Sequence, residues 1–412
     1  MIKKYGLILL LIIFLFLRVF NLEKGVNFSS EQGLFLSKAK EIYDTKKLTL
    51  IGPSTSIKST ISREFYQGPA TYYLLLVPIA LGGNPIVASY FLIFINLLAL
   101  IVIYTVIKKK FGFKTAFWAS LFFSTYPLLV TYTRFVWNPN FIPLFSAAVL
   151  GFLLNINRKR KSLFYLLLGL ILGICLQFHY QSFLLILLSF IWLTLRKAKI
   201  TNFFIVFLGI IAGFFPLLIF ELRHNFYNLN TLFLIMQTGS GKQLISFPVY
   251  YFLFLAPFIC LAIGLLFQKI YKAKKLLAVG ILVLYLAWSA YKINGFSTKA
   301  PGMSEGWNYK GQKKALEIIL KENKKGYNIA NLLTGDTRAR AMRYLLSLNN
   351  SLPGGTGDYP ASEWLFVMSK SKEEEVLKNP VWEISSFRPS RIAKAWPIQN
   401  GISLYLLEKL KN

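Results

Sequence analysis

The chain has 412 residues, 55% of them hydrophobic and only 16% charged, with a formal net charge of +30. Apolar runs such as "LFYLLLGLILGICLQF" and "FPVYYFLFLAPFICLAIGLLF" have no counterpart in a soluble fold, which leaves a polytopic helical membrane protein. The Lys and Arg residues fall in short clusters between those runs, the pattern that orients membrane spans, so the charge does not point to nucleic acid.

The N-terminus "MIKKYGLILLLIIFLFLRVF" starts like a signal peptide but lacks a small-residue cleavage site, and it reads as a retained first span. Spans are expected at 5–20, 86–107, 113–133, 139–156, 163–180, 182–195, 201–221, 245–267 and 276–293, nine in all. The segment 69–83 is apolar but short and holds Pro78, so it reads as an interfacial or re-entrant helix. The run 163–195 has basic flanks at both ends and reads as two crossings with a tight turn at "QFHYQ". Basic connections at 108–114, 157–161, 196–199 and 269–275 alternate with weakly charged ones, which predicts a cytoplasmic N-terminus in a plasma-membrane protein.

The expected membrane domain therefore covers 1–293, with a first outer loop at 21–85. Residues 294–412 read as a small extracytoplasmic α/β domain. "GQKKALEIILKENKK" and "KEEEVLK" are predicted helices, and "TRARAMRYLLSL" is a helix with Asp336 as its N-cap. "YNIANLL", "EWLFVMS", "VWEISSF" and "ISLYLLEKL" are predicted strands. Cys175 and Cys260 both lie in apolar runs and read as core hydrophobes.

On this topology the chemically informative residues gather on one side. They are Glu31, "YQGP" (66–69), "TRFVWNPN" (133–140), "QFHYQ" (177–181) and "ELRHN" (221–225), which include both histidines, His179 and His224. Acids before the C-terminal region are confined to Glu23, Glu31, Glu41, Asp44, Glu64 and Glu221. No carboxylate lies between Glu64 and Glu221, which argues against a proton-coupled transporter. An acid, two histidines, Arg134 and Arg223 at one membrane surface suit the transfer of a sugar from a polyprenyl phosphate. The leaving phosphate needs cations or N–H donors, and the incoming hydroxyl needs a base. One base and direct displacement would invert the anomeric centre.

The stretch "NFSSEQGLFLSKAKEIYDTKK…REFYQGPATYYLLLVPIALGGNPI", followed by "RFVWNPNFIPLF", "LQFHYQSFLL" and "FELRHNF", resembles the GT-C membrane glycosyltransferases. Within them it is similar to the group of dolichyl-phosphate-mannose–protein mannosyltransferases and lipid A aminoarabinose transferases. The resemblance covers roughly residues 1–295 and implies a polyprenyl-phosphate sugar donor with a lipid, glycan or protein acceptor. It puts the catalytic base on Glu31, followed by Gln32 and Gly33. The family's usual residue there is Asp, and Glu is longer by one methylene. Substrate contacts are then expected among Gln32, Tyr66, Arg134, Asn138, His179, Tyr180, Arg223 and His224.

Plainer roles compete at each position. Glu31 is also a favourable charge for a helix N-terminus, Arg134 a snorkelling cation, and Trp137 an interfacial anchor. Asn138 and Asn140 suit a turn around a helix-starting Pro139. His179 and Tyr180 suit a cap, and Glu221 and Arg223 an ion pair. "TGSGK" (238–242) is not a phosphate loop, since Met236 and Gln243 occupy the positions of a Gly and a Ser/Thr. No cluster has metal-ligand spacing, although a divalent cation shared by Glu31 and a donor phosphate is compatible with the sequence. The competing functions are a non-enzymatic carrier or flippase of lipid-linked glycans and a scaffold with an exterior binding domain.

Overall fold

The computed structural model describes residues 2–58, 63–156, 161–238, 249–294, 300, 302–333 and 335–410. The expected basic connection at 157–160 and residues 239–242 of "TGSGK" lie outside them.

The chain begins with α1 (Ile2–Val19), the short α2 (Leu22–Gly25) and α3 (Ser30–Thr45). A two-stranded antiparallel ribbon, β1 (Ser54–Lys58) and β2 (Glu64–Tyr66), leads into α4 (Ala70–Ala80). There follow α5 (Pro85–Phe111), α6 (Phe113–Thr125), α7 (Pro127–Tyr132), α8 (Ile142–Leu154), α9 (Ser162–Phe178), α10 (Phe183–Leu195), α11 (Ile200–Arg223), α12 (Tyr227–Thr238), α13 (Ala256–Ala273) and α14 (Lys275–Ile293). Four described segments are long and apolar enough to cross a membrane: Pro85–Phe111, Ile200–Arg223, Tyr250–Ala273 and Lys275–Ile293. Shorter apolar helices surround them, and together they make a multi-pass membrane protein.

Two of the spans read as continuous, 113–133 and 139–156, are interrupted. The run 113–133 divides because Pro127 cannot donate an N–H to the turn before it, so α7 starts afresh with Pro127 in its first turn. The run 139–156 starts as a 3₁₀ turn at Asn138–Phe141 before α8. The run 163–195 breaks at His179, whose backbone is extended. Both ends of that run return to the end of α8. Phe164 packs on Phe152 with ring centroids 4.9 Å apart, and the Trp192 indole N–H donates to Leu153 O at 2.7 Å. The run therefore folds back on itself, as the basic flanks predict. At 11 residues, α4 is too short to cross.

Helices α9 and α11 touch through backbone. A Cβ on Gly169 or Gly173 would collide with the Val206 or Ile210 carbonyl, and one on Gly209 or Gly213 with the Leu166 or Leu170 carbonyl. Glycines four apart on both helices let the two main chains meet, the contact that replaces hydrophobic burial as the packing force in lipid.

The C-terminal region forms α15 (Tyr309–Glu322), β3 (Tyr327–Asn331), α16 (Arg340–Leu348), β4 (Trp364–Ser369), α17 (Glu373–Lys378), α18 (Trp382–Ser385), β5 (Ser390–Gln399) and β6 (Ile402–Lys409). The strand order is β3-β4-β6-β5, with β3 parallel to β4 and the other pairs antiparallel. "VWEISSF" is not a strand. Its first part is α18, and Ile384 and Phe387, three apart, are turned into the core. The unanticipated strand is β5, an edge strand carrying Lys394, Pro397 and two register shifts. Those are the features that keep an exposed edge from pairing further, and they mask it in sequence. Helix α16 starts at Arg340, later than an Asp336 N-cap implies, yet Asp336 Oδ2 still accepts from Arg340 N at 2.9 Å.

This domain docks on α3 and its approaches. Gln312 Nε2 donates to Phe28 O at 2.7 Å, Arg340 Nη1 to Ser30 Oγ at 3.2 Å, and the Tyr344 hydroxyl to Gly83 O. A Cβ on Gly33 would stand 2.7 Å from both N and Cα of Ala341, so α3 and α16 touch main chain to main chain. Backbone cannot move aside as a side-chain tip can. Gly33→Ala is therefore expected to cost about 1–3 kcal/mol of stability by overpacking, read as a lower thermal midpoint in detergent. Gly280→Ala, with nothing within 4 Å of the added carbon, leaves the midpoint unchanged or slightly higher.

Candidate functional site

Glu31 lies in the first turn of α3. The helix start is fixed by its neighbours, since Gln32 Oε1 accepts from Ser29 N at 3.1 Å and from Ser29 Oγ at 2.7 Å. Gln32, expected as a substrate contact, is thereby buried and committed to the cap. The residue before it, Glu31, is exposed. The protein around it desolvates the carboxyl and raises its pKa, an effect the Trp137 side chain partly offsets.

An aromatic wall is built around Trp137. Trp137 and Tyr250 have ring centroids 4.2 Å apart, and Tyr132 is stacked 6.0 Å from Trp137. His179 continues the wall, 6.3 Å from Tyr250 and 5.2 Å from Tyr251. Burial lowers the His179 pKa to about 4, so the ring is neutral at pH 7. Its Nδ1 accepts from Gln181 N at 3.4 Å, which leaves the proton on Nε2. His179 can therefore offer an N–H but not a cation.

The turn carrying Trp137 is held by amides. Asn138 Nδ2 donates to Phe178 O at 2.8 Å and also to the Gln67 side chain, while Asn140 Nδ2 donates to Phe135 O at 2.9 Å. Asn96 Nδ2 reaches Asn140 O at 3.1 Å. Asn138 is thus a bracket and not a free contact.

A second cluster adjoins the first through the 177–180 segment. The Tyr180 hydroxyl donates to Tyr66 O, and its ring stacks 4.8 Å from Phe65. Tyr66 N donates to Asn228 Oδ1 at 3.0 Å, and Tyr66 O accepts from Asn228 Nδ2 at 3.1 Å. The Tyr66 ring packs against Phe220 and Tyr227, and burial pushes its hydroxyl up to about 12. Glu221 accepts from Asn228 N and Leu229 N, each at 3.1 Å, and so caps the start of α12 instead of pairing with Arg223. His224 stacks 4.3 Å from Phe220, with its Nδ1 2.9 Å from Phe220 O. Arg223 is exposed at the end of α11 and has no ion pair among the described residues.

Arg134 is held at the end of α1. Its guanidinium is largely buried and donates from Nη2 to Phe20 O at 2.9 Å. It lies so close to Gly25 that a Cβ there would stand 2.9 Å from Nη2. Its Nε has no partner among the described residues, and burial lowers its pKa. It is a membrane-boundary cation turned inward, not a snorkelling one. The residues that sequence reasoning missed are Tyr132, Tyr250 and Tyr251, and with them the inward role of Trp137. Their one signal is the local density of aromatic residues, which interfacial anchors share.

The raised Glu31 pKa has a consequence for stability. The folded protein holds this proton more tightly than the unfolded chain, so folding loses stability as pH rises from the ordinary carboxylate range through the folded value. Glu31→Gln removes that loss. Its thermal midpoint relative to wild type is expected to be higher at pH 8 than at pH 4. By contrast, Asn138→Ala strands the Phe178 carbonyl and is expected to cost about 1–3 kcal/mol at both pH values.

Residues 66–220 match the family model described as dolichyl-phosphate-mannose-protein mannosyltransferase. That range holds Tyr66, Arg134, Asn138, His179 and Tyr180 but not Glu31. Among solved structures, the chain is similar to ArnT from Cupriavidus metallidurans bound to undecaprenyl phosphate, at 10% identity over 97% of each chain with a TM-score of 0.57. The apo form of that ArnT matches at 10% identity over 97% of each chain, with a TM-score of 0.59. The oligosaccharyltransferase of Archaeoglobus fulgidus in complex with Zn and sulfate matches over 93% of this chain and 70% of its own, at 11% identity and a TM-score of 0.53. Comparison with curated protein sequences gave no significant match. Residues 66–220 thus resemble the protein-mannosyltransferase family, and the chain as a whole has the fold of ArnT.

Proposed function

We propose that the protein transfers a monosaccharide from a polyprenyl-phosphate donor to a hydroxyl-bearing acceptor on the extracytoplasmic side of the plasma membrane. Nine spans with a cytoplasmic N-terminus would put Glu31 and the C-terminal domain on that side. The observation that carries the reading is Glu31 itself, an accessible carboxylate with a raised pKa in the first turn of α3. Support for the donor comes from the family match and from ArnT, whose structure holds undecaprenyl phosphate.

In this reaction the Glu31 carboxylate takes the proton of the acceptor hydroxyl as its oxygen bonds to the anomeric carbon. The bond from that carbon to the phosphate oxygen breaks, and the lipid phosphate leaves with the electron pair. A single-step displacement inverts the anomeric centre. A base whose pKa is moved toward the working pH is better matched to this transfer than an ordinary carboxylate. The leaving phosphate would be met by the N–H of His179 and by Arg134 and Arg223, neither of which pairs with an acid among the described residues. Among the described residues no three His, Cys, Asp or Glu side chains converge as a metal site.

The test uses the full-length protein in proteoliposomes with labelled polyprenyl-phosphate hexoses and pentoses, and follows sugar leaving the lipid. Glu31→Gln should lower turnover by about 10²–10⁴-fold, the range for a lost general base. Unchanged turnover removes Glu31 from the mechanism.

A further inference from the structure

Helix α12 has its polarity reversed. It buries Asn228 and Thr231 together with Ile235, and it exposes Leu229, Leu232, Phe233 and Met236, the last two 52% and 73% accessible. None of its 12 residues is charged. A helix in water does the opposite, hiding its apolar stripe and showing its polar one. At about 100° per residue, the four exposed apolar side chains share an arc about 100° wide. Asn230 and Gln237, also exposed, lie about 100° further round, on the far side of that arc from the buried face. The helix therefore has three faces, one against protein, one apolar and one polar.

The span before it sets where those faces lie. The 24 residues of α11 reach about 36 Å, more than the roughly 30 Å of a bilayer's hydrocarbon, so its Arg223 end stands at the headgroup level. Phe204, Phe207, Ile211, Phe215 and Leu222 are exposed along α11, and Phe226, exposed as well, joins that surface to the apolar face of α12. The roll of α12 is fixed from the protein side. Glu221 holds Asn228 N and Leu229 N, and the Asn228 amide takes both main-chain groups of Tyr66. Arg63 Nη2 donates to Tyr227 O at 3.4 Å, with its guanidinium 4.1 Å from the Tyr227 ring centre.

We propose that α12 lies in the plane of the membrane at the Arg223 end of α11, with its apolar face in the hydrocarbon and Asn230 and Gln237 among the headgroups. The partner is the lipid bilayer and not a second copy of the chain. Three faces are what a helix needs where protein, hydrocarbon and headgroups meet. Helices that pair within a membrane approach through small residues, as α9 and α11 do at their glycines. The exposed apolar face of α12 holds only Leu, Phe and Met. Through Asn228 this anchor holds β2 at a set depth relative to the lipid.

The test uses the full-length protein in vesicles of phosphatidylethanolamine and phosphatidylglycerol. Nitroxide labels are placed one at a time on Phe233→Cys, Met236→Cys, Asn230→Cys and Gln237→Cys. Cys175 and Cys260 are buried, so the unsubstituted protein sets the labelling background. Collisions with dissolved oxygen, which concentrates in hydrocarbon, are compared with collisions with a water-soluble nickel chelate. Labels at 233 and 236 are expected to favour oxygen several-fold more than labels at 230 and 237. If they meet the nickel chelate as freely as those two, the helix lies in water and the proposal is overturned. Shielding of 233 and 236 from both reagents overturns it as well, because a second copy or another protein then covers the face. All four positions are exposed, and Leu232→Cys repeats the apolar reading should either of the first two variants fail to fold.

Discussion

Where α6 gives way to α7, Pro127 has no N–H for the Phe123 carbonyl, and an apolar surround supplies no water in its place. The missing donor comes from α1. Arg18 is wholly buried, donates to Phe123 O at 3.4 Å and Ser124 O at 2.8 Å, and lies 3.6 Å above the Phe14 ring. The Ser289 hydroxyl takes the next carbonyl, Thr125 O. The same device recurs at the breaks around Trp137, His179 and Tyr66. Asn138 closes on Phe178 O, Asn140 on Phe135 O, and Tyr180 and Asn228 on Tyr66 O. An unpaired main-chain group in such surroundings costs several kcal/mol. Each break is therefore bound to a distant segment and cannot shift by itself. The side chains carried on those breaks, Trp137 and His179 among them, inherit that rigidity.

The same desolvation acts in opposite directions on the two titratable residues of the wall. It raises the acid at Glu31 and lowers the base at His179. In both cases burial favours the neutral form. It also divides labour within the proposed reaction. A neutral imidazole can steady a phosphate by hydrogen bonding but cannot balance its charge, so charge balance falls to guanidinium groups, which stay ionised despite burial.

How much of this was legible in the sequence depended on the kind of signal. Apolar runs and basic clusters revealed the multi-pass class and the fold-back at His179, because both follow from composition. Glu31 stood out because acids are so scarce in the first 294 residues. The division of the 113–133 run was written in Pro127, but a proline in a membrane span is often tolerated, and what made it a true break was the distant Arg18. Gln32 and Asn138 look like ligand contacts in sequence, since polar residues near a candidate catalytic acid often are. Only the fold shows their side-chain hydrogen bonds already spent on the protein. Tyr250 was out of reach for the opposite reason. Its approach to Trp137 is a contact between segments far apart in the chain, and nothing local marks it.

The C-terminal domain is best understood through Gly33. Its sheet core is filled by apolar residues such as Leu365, Val367 and Leu407, and its contacts with the membrane half cluster around the helix that bears Glu31. Lys313 pairs with Glu23 at 3.6 Å, Gln312 holds Phe28 O, and Arg340 holds Ser30. Phe28 lies between Tyr309 and Tyr344 at 6.0 Å from each. Two residues past Glu31, Gly33 admits the α16 backbone so closely that no side chain fits between. A short amphipathic helix on a loop would otherwise be free to roll, and a carboxylate in its first turn would roll with it. Clamping that helix from the C-terminal side fixes the backbone from which Glu31 projects.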